Sequence, residues 1–221
     1  MIHLTKSGMT FSGSAADLDQ ARAEFTQQHW LRFPKFLDPE LCEIIQSQLA
    51  GSDFHEVAAD FYTEATPSHS AAPFAMLMLL NNAPLFKIIE TITGCAHIGC
   101  FRGRIYRHLP GTHHHIDWHS DWNGTRLHAL TVNLSAEAYQ GGVLMIRGKT
   151  GHISTELTNT GFGDAILFRV DPNLAHRVSD VEGTAPKTAL AGWFMSEPDF
   201  RTMFTESIAR SKKISQARLR D

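Results

Sequence analysis

The residues with the clearest capacity for chemistry are His119-Ser120-Asp121 and, 55 residues beyond Asp121, His176. On an extended strand, residues i and i+2 share a face. The His119 imidazole and the Asp121 carboxylate then point into one space. An imidazole from a distant strand, His176, completes a two-histidine, one-carboxylate set that leaves coordination positions open. Such a set marks non-haem Fe(II) centres that activate O2. Imidazole and carboxylate also suit Mn, Ni and Zn, so donor type alone does not select iron. A second pair, His115-Ile116-Asp117, has the same spacing, and spacing alone does not choose between the two.

These residues need a scaffold, and the composition supplies one. The 221 residues are 43% hydrophobic, enough for a real core and against disorder. A single domain is expected at this length. The net charge of -3 points to neither nucleic acid nor an anionic membrane as a partner. No run of about 18 apolar residues is present, so no membrane span is expected. The N-terminal MIHLTKSGMTFSGSAADLD lacks an apolar stretch of signal-peptide length, and the expected location is cytoplasmic. Cys42, Cys95 and Cys100 fit neither a disulfide framework nor a zinc knuckle; they read as packed thiols. Six of the 13 histidines fall between His108 and His128, so the anomaly sits where the chemistry does.

The first half reads as helical. Ala15 to Gln28 suits an amphipathic helix, and Trp30 to Leu37, interrupted by Pro34, a short edge strand. Asp38-Pro39 reads as an N-cap with proline at N1, starting a helix through Leu49 with Leu41, Ile44, Ile45 and Leu49 on one face. Gly51 to Ser70 has little periodicity and is expected to be a loop. Ala72 to Thr93 reads as two helices split at Pro84. From Gly99 onward the pattern changes to short alternating runs: Gly99 to Arg107, Leu127 to Leu134, Val143 to Arg147, Gly151 to Leu157, Ala165 to Val170 and Thr188 to Met195. Gly-Gly and Gly-Asp turns punctuate them. Strands at this spacing suggest a sandwich or barrel. Helices first and strands second give an α+β class, with 1–98 as a helical support region and 99–200 as the core. Residues 201–221 would add a C-terminal helix or tail, with the basic stretch from Ser207 to Asp221 as a surface helix.

The order of pieces from about residue 99 to 200 resembles the 2-oxoglutarate/Fe(II)-dependent dioxygenase superfamily, in its prolyl-hydroxylase-like branch. The pieces are Pro110-Gly111, His119 with Asp121, TVNLS from Thr131 to Ser135, Gly141-Gly142, and Gly163-Asp164 with Ala165 to Phe168. His176-Arg177-Val178, Lys187 and Gly192-Trp193-Phe194 follow. The resemblance implies a double-stranded β-helix, a jelly-roll or cupin-like barrel, with N-terminal support helices. Its spacing from the Pro-Gly turn favours His119 and Asp121 over His115 and Asp117, which come four residues early. Together with His176 they are the implied metal ligands. His113, His114 and His115 are expected to be solvated loop rather than lining of the mouth.

The resemblance also implies Fe(II), 2-oxoglutarate as cosubstrate and O2. Lys187 takes the position of the cation that meets the far carboxylate of 2-oxoglutarate. Lysine is a point charge there, where arginine would offer a fork. Asn133, sharing a face with Thr131 by alternation, takes the place of a hydrogen-bonding side chain to the cosubstrate. Tyr106 could donate to it from the preceding strand. Arg177 either faces the substrate or braces Asp180. The implied reaction hydroxylates a small-molecule or peptidyl substrate, such as an amino acid or natural product, and releases succinate and CO2. Asp121 argues against halogenation, for which relatives carry a small residue in its place. The alternatives are a cupin-type metal dioxygenase without 2-oxoglutarate, which needs no buried cation at Lys187, and a non-catalytic ligand-binding barrel.

Overall fold

The computed structural model describes residues 1–149, 153–158 and 161–206, with the side chains of 153 and 154 excepted. The expected helix from Ser207 to Asp221 lies outside the described residues. The chain opens with a hairpin, β1 (Ile2–Thr5) and β2 (Gly8–Phe11), which the sequence did not announce. Then come α1 (Ala15–Gln28), β3 (Trp30–Phe33), α2 (Pro39–Ala50), β4 (Phe54–Ala59), β5 (Tyr62–Pro67), α3 (Ala72–Leu80) and α4 (Ala83–Thr93). The second half holds β6 (Cys100–His108), β7 (His115–His119), β8 (Arg126–Asn133), β9 (Gln140–Gly141), β10 (Leu144–Gly148) and β11 (Ile153–Leu157). It ends with β12 (Ala165–Arg169), β13 (Leu174–Val178), β14 (Val181–Glu182) and β15 (Lys187–Met195).

The helices start where their caps dictate. Ser14 and Asp17 form a reciprocal capping box on α1, and the Asp38 carboxylate accepts from the Leu41 N–H at 3.0 Å on α2. The inward face of α2 carries Leu41, Cys42, Ile45 and Leu49. Ile44, expected there, is exposed, because Cys42 lies closer to the middle of the apolar stripe. No single helix among the described residues is long and apolar enough to cross a membrane.

The main sheet runs β11-β10-β13-β7-β5-β6-β15-β8-β12-β3, antiparallel throughout, with β4 added on β5. It curls into the double-stranded β-helix expected from the sequence. Alternation along its strands divides two apolar clusters. Ile105, Leu130, Val132, Leu167, Leu190 and Phe194 pack outward against the helices. Tyr106, Ala129, Ile166, Phe168 and Ala189, each one step away in sequence, point into the curl beside Ile116, Leu144, Leu157 and Val178. The helices thus brace one face while the other encloses space.

The expected loop at Gly51 to Ser70 is instead the β4–β5 hairpin, and it bridges the sheet by pairing β5 with both β6 and β7. Apolar alternation missed it for a physical reason. Thr63, Glu64 and Ala65 are buried in succession, and two of the three are polar. Most of β4 is open to solvent.

Candidate metal centre

The pairing of β13 with β7 sets His176 directly opposite His119, with a register shift between His176 and Val178. Their ring centroids lie 4.3 Å apart. Asp121 follows two residues beyond β7 and turns its carboxylate between the two rings. Its Oδ1 lies 3.6 Å from His119 Nε2 and its Oδ2 lies 3.3 Å from His176 Nε2. The three ligand atoms fall within 4.8 Å of one another. A polar partner fixes His119: its Nδ1 lies 2.7 Å from the Asp117 carbonyl, so the proton sits there and the Nε2 lone pair faces the cluster.

Asp121 is buried. Burial alone would push its carboxyl up. The His119 and His176 imidazoles beside it and the hydrogen bond from the Trp193 indole outweigh that and hold it well below the usual carboxylate range. Trp193 Nε1 donates to Oδ2 at 2.7 Å, and Arg126 Nη1 donates to Oδ1 at 3.1 Å. The Arg126 guanidinium in turn lies flat on the Trp193 ring at 3.7 Å. Two imidazole nitrogens and an ionised carboxylate oxygen, each held by neighbours, fit Fe(II) with positions left open. Sequence reasoning named the three clustered residues but not Trp193 or Arg126. Only the Gly192-Trp193-Phe194 segment carried a signal for either.

The cluster faces a cavity of about 300 Å³. Phe61 and Tyr62, at the tip of the β4–β5 hairpin, line it, and Phe61 stacks on the His119 ring at 4.3 Å. Leu144, Leu157, Phe168, Val178 and Ala129 make much of its wall apolar, and Tyr106 and Thr131 also line it. Tyr106 is buried, and burial pushes its phenol up, so it stays protonated and able to donate.

Lys187, the first residue of β15, also lines this cavity and is buried. Its Nζ donates to the Gly142 carbonyl at 2.7 Å. No carboxylate among the described residues lies within ion-pair reach of it, and burial lowers its pKa to about 7. A Cβ at Gly142, where φ is +59°, would meet Lys187 Cδ at 2.8 Å and the Tyr139 ring at 3.0 Å. The Gly-Gly turn therefore makes room for the ammonium. A buried cation without a counter-charge, at the wall of a cavity next to a metal-type cluster, fits the far carboxylate of 2-oxoglutarate.

Asn133 is a correction. It is buried at the end of β8 and does not line the cavity. Its Nδ2 donates to the Gly161 carbonyl at 3.0 Å and its Oδ1 accepts from the Ser135 N–H at 3.1 Å. Both ends of its amide are spent fastening the turn before β12. Arg177 neither lines the cavity nor reaches Asp180: its Nε meets the Met145 sulfur at 3.2 Å and its guanidinium lies 5.4 Å from the Trp118 ring. The half-buried His115 and the exposed Asp117 stand 3.7 Å apart, with no third ligand gathered among the described residues. His113 is exposed against Glu56. His114 departs from the solvated reading: it is buried, with Nδ1 accepting from the Leu109 N–H at 3.0 Å.

Comparison with known proteins agrees with this geometry. The model of the 2OG-Fe(II) oxygenase superfamily matches residues 103–195. No curated protein matches the chain. Among solved structures, an oxidoreductase of the 2OG-Fe(II) oxygenase family from Burkholderia pseudomallei superposes with a TM-score of 0.64 at 16% identity, over 89% of this chain and 97% of that one. A Pseudomonas putida prolyl-4-hydroxylase gives 0.60 at 16%, over 81% and 99%. A Trichoplax adhaerens prolyl hydroxylase, in complex with a hypoxia inducible factor peptide fragment, gives 0.60 at 13%, over 84% and 94%. At these identities the superpositions speak to the fold.

Proposed function

From the match of residues 103–195 to the 2OG-Fe(II) oxygenase superfamily, we propose a hydroxylase that binds iron through His119, Asp121 and His176 and 2-oxoglutarate through Lys187. The family uses Fe(II), 2-oxoglutarate and O2. Fe(II) held there supplies O2 activation coupled to decarboxylation of 2-oxoglutarate. Succinate and CO2 leave, and one oxygen atom enters a substrate C–H bond. The substrate is a small molecule or a side chain that fits the remaining space. Three thiols without a disulfide agree with a cytoplasmic location.

One observation carries this reading: a three-ligand cluster and an unneutralised buried ammonium share one cavity. The side chains divide the work. His119 and His176 offer imidazole nitrogens, and Asp121 offers charge while Trp193 and Arg126 hold its orientation. Lys187 neutralises the far carboxylate of the cosubstrate. The Gly142 carbonyl, 2.7 Å away, anchors its Nζ. Tyr106 stands on the same wall as a protonated donor. Leu144, Leu157, Phe168 and Val178 keep that region dry, where the charge pairing is strong. A cupin dioxygenase without cosubstrate has no use for this lysine.

The test is succinate release. The purified chain with Fe(II), O2 and 2-oxoglutarate should form succinate slowly without substrate and faster with a true one. No succinate under any of these conditions, with candidate substrates present, would sink the reading.

A further inference from the structure

Two arginines line the same cavity as the cluster, and each keeps donors that neither the metal ligands nor 2-oxoglutarate would use. Arg104, on β6, lies 4.9 Å from the Tyr62 ring and 5.8 Å from the Tyr106 ring. The wholly buried Glu64 takes its Nε and Nη2 as a fork. Its Nη1 has no partner among the described residues. Arg126 is held flat on Trp193, with Nη1 spent on Asp121. Its Nε is buried with no hydrogen-bond partner, and its Nη2 has none among the described residues. Burial disfavours the Arg126 charge most, Asp121 supports it, and Arg104 opposes it. Both guanidiniums line the one cavity.

Two stacked, half-committed guanidiniums facing one mainly apolar cavity are poorly placed unless an anion joins them. Their planar forks match a carboxylate. Charge points the same way. With Fe(II), Asp121 and the cosubstrate dianion in place, Lys187 and Arg126 charged, and Arg104 neutralised by Glu64, one positive charge is left over. A single carboxylate cancels it. A cavity of about 300 Å³ that also takes 2-oxoglutarate leaves space for a small molecule.

We propose that Arg104 and Arg126 form a second anion position in this cavity, and that the substrate is a small free carboxylic acid held there. The Arg126–Trp193 stack sets the acid beside the Asp121 end of the cluster, and the Glu64-braced Arg104 closes on it from β6. This rests on the hydroxylase reading above.

The test uses the full chain with Fe(II) and saturating 2-oxoglutarate under anaerobic conditions, where nothing turns over. The probes are small aliphatic and amino carboxylic acids, each paired with its primary amide, and binding is read by calorimetry. At least one acid should bind about tenfold or more tightly than its amide. Arg126→Gln should erase that preference. So should the double variant Glu64→Gln with Arg104→Gln, which removes both charges and strands neither. Iron stoichiometry is measured on each, and if Arg126→Gln loses iron the double variant decides. The proposal is overturned if no acid outbinds its amide, or if the preference survives in the deciding variants. Substrate-free succinate release separates the failures. If it occurs while acids fail, only the carboxylate inference falls; if succinate is absent with candidate substrates present as well, the hydroxylase reading falls with it.

Discussion

Two buried charges line this cavity, Asp121 and Lys187, and their surroundings differ. Asp121 is crowded with polar neighbours: two imidazole nitrogens, an indole N–H and a guanidinium within 3.6 Å. Lys187 has one backbone carbonyl. The Asp121 end is satisfied before anything binds and is built to hold its geometry. The Lys187 end carries an uncompensated cation that burial drives toward neutrality. A preassembled cluster suits a resident metal, whereas an unpaired ammonium suits an anion that arrives and leaves with each turnover.

The comparison breaks most visibly at the metal end. His119→Ala and His176→Ala should each abolish iron binding, read as stoichiometry after anaerobic reconstitution. Retention of near-full iron in either would remove that residue from the ligand set. Lys187→Ala should act only at the other end. Losing a charge-assisted bond in a dry site costs several kcal/mol, so the 2-oxoglutarate requirement should rise about 100-fold while iron stays bound. An unchanged requirement would take Lys187 out of the site. Trp193→Phe keeps a ring under Arg126 but deletes the 2.7 Å bond to Asp121. Iron affinity should fall about tenfold, as for other outer-shell partners, with little change in the 2-oxoglutarate requirement.

The same contrast explains what could be read from the sequence. The three clustered residues were legible because few residue types bind metal and the His-x-Asp spacing can be read without a fold. Lys187 was legible only through resemblance, since nothing local marks a lysine as buried. Asn133 was placed by strand alternation, but β8 ends there, and its amide turns to the Gly161 carbonyl and the Ser135 N–H. The β4–β5 hairpin was invisible because its buried run includes Thr63 and Glu64, whose burial is justified by partners distant in sequence; Arg104, which pairs Glu64, lies 40 residues away. Arg126 and Trp193 were overlooked for the same reason, because their value comes from each other.

The smaller effects are in pH. Lys187 must be charged to hold a carboxylate, and burial sets its pKa at about 7. Cosubstrate affinity should therefore weaken by up to about tenfold per unit as pH rises above 7, with proton uptake on binding seen by calorimetry in buffers of different ionisation enthalpy. Pairing with the carboxylate raises the Lys187 pKa, so the uptake should approach one proton well above pH 7. Its absence at pH 8 would mean that the cation at this end is not Lys187.

The smallest effect lies behind that lysine. His108 is its cross-strand neighbour on β6, wholly buried, with no partner for either ring nitrogen among the described residues. Burial, then the Lys187 charge, holds its pKa at about 3. The unfolded chain takes up this proton near pH 6.5 and the folded chain does not until about 3. His108 therefore contributes stability that is present above pH 6.5 and lost as pH falls through that window, by up to about 1.4 kcal/mol per pH unit. His128, buried and held at about 3 by burial and Arg169, adds an equal slope. His108→Phe gives up no hydrogen bond, so denaturant unfolding at pH 7 should find it near wild-type stability. Between pH 6 and 5 its stability should fall less steeply than wild type by one histidine's share. An unchanged slope would mean that His108 is protonated or partnered in the folded protein, and that the ammonium end of the cavity is less dry than its lining implies.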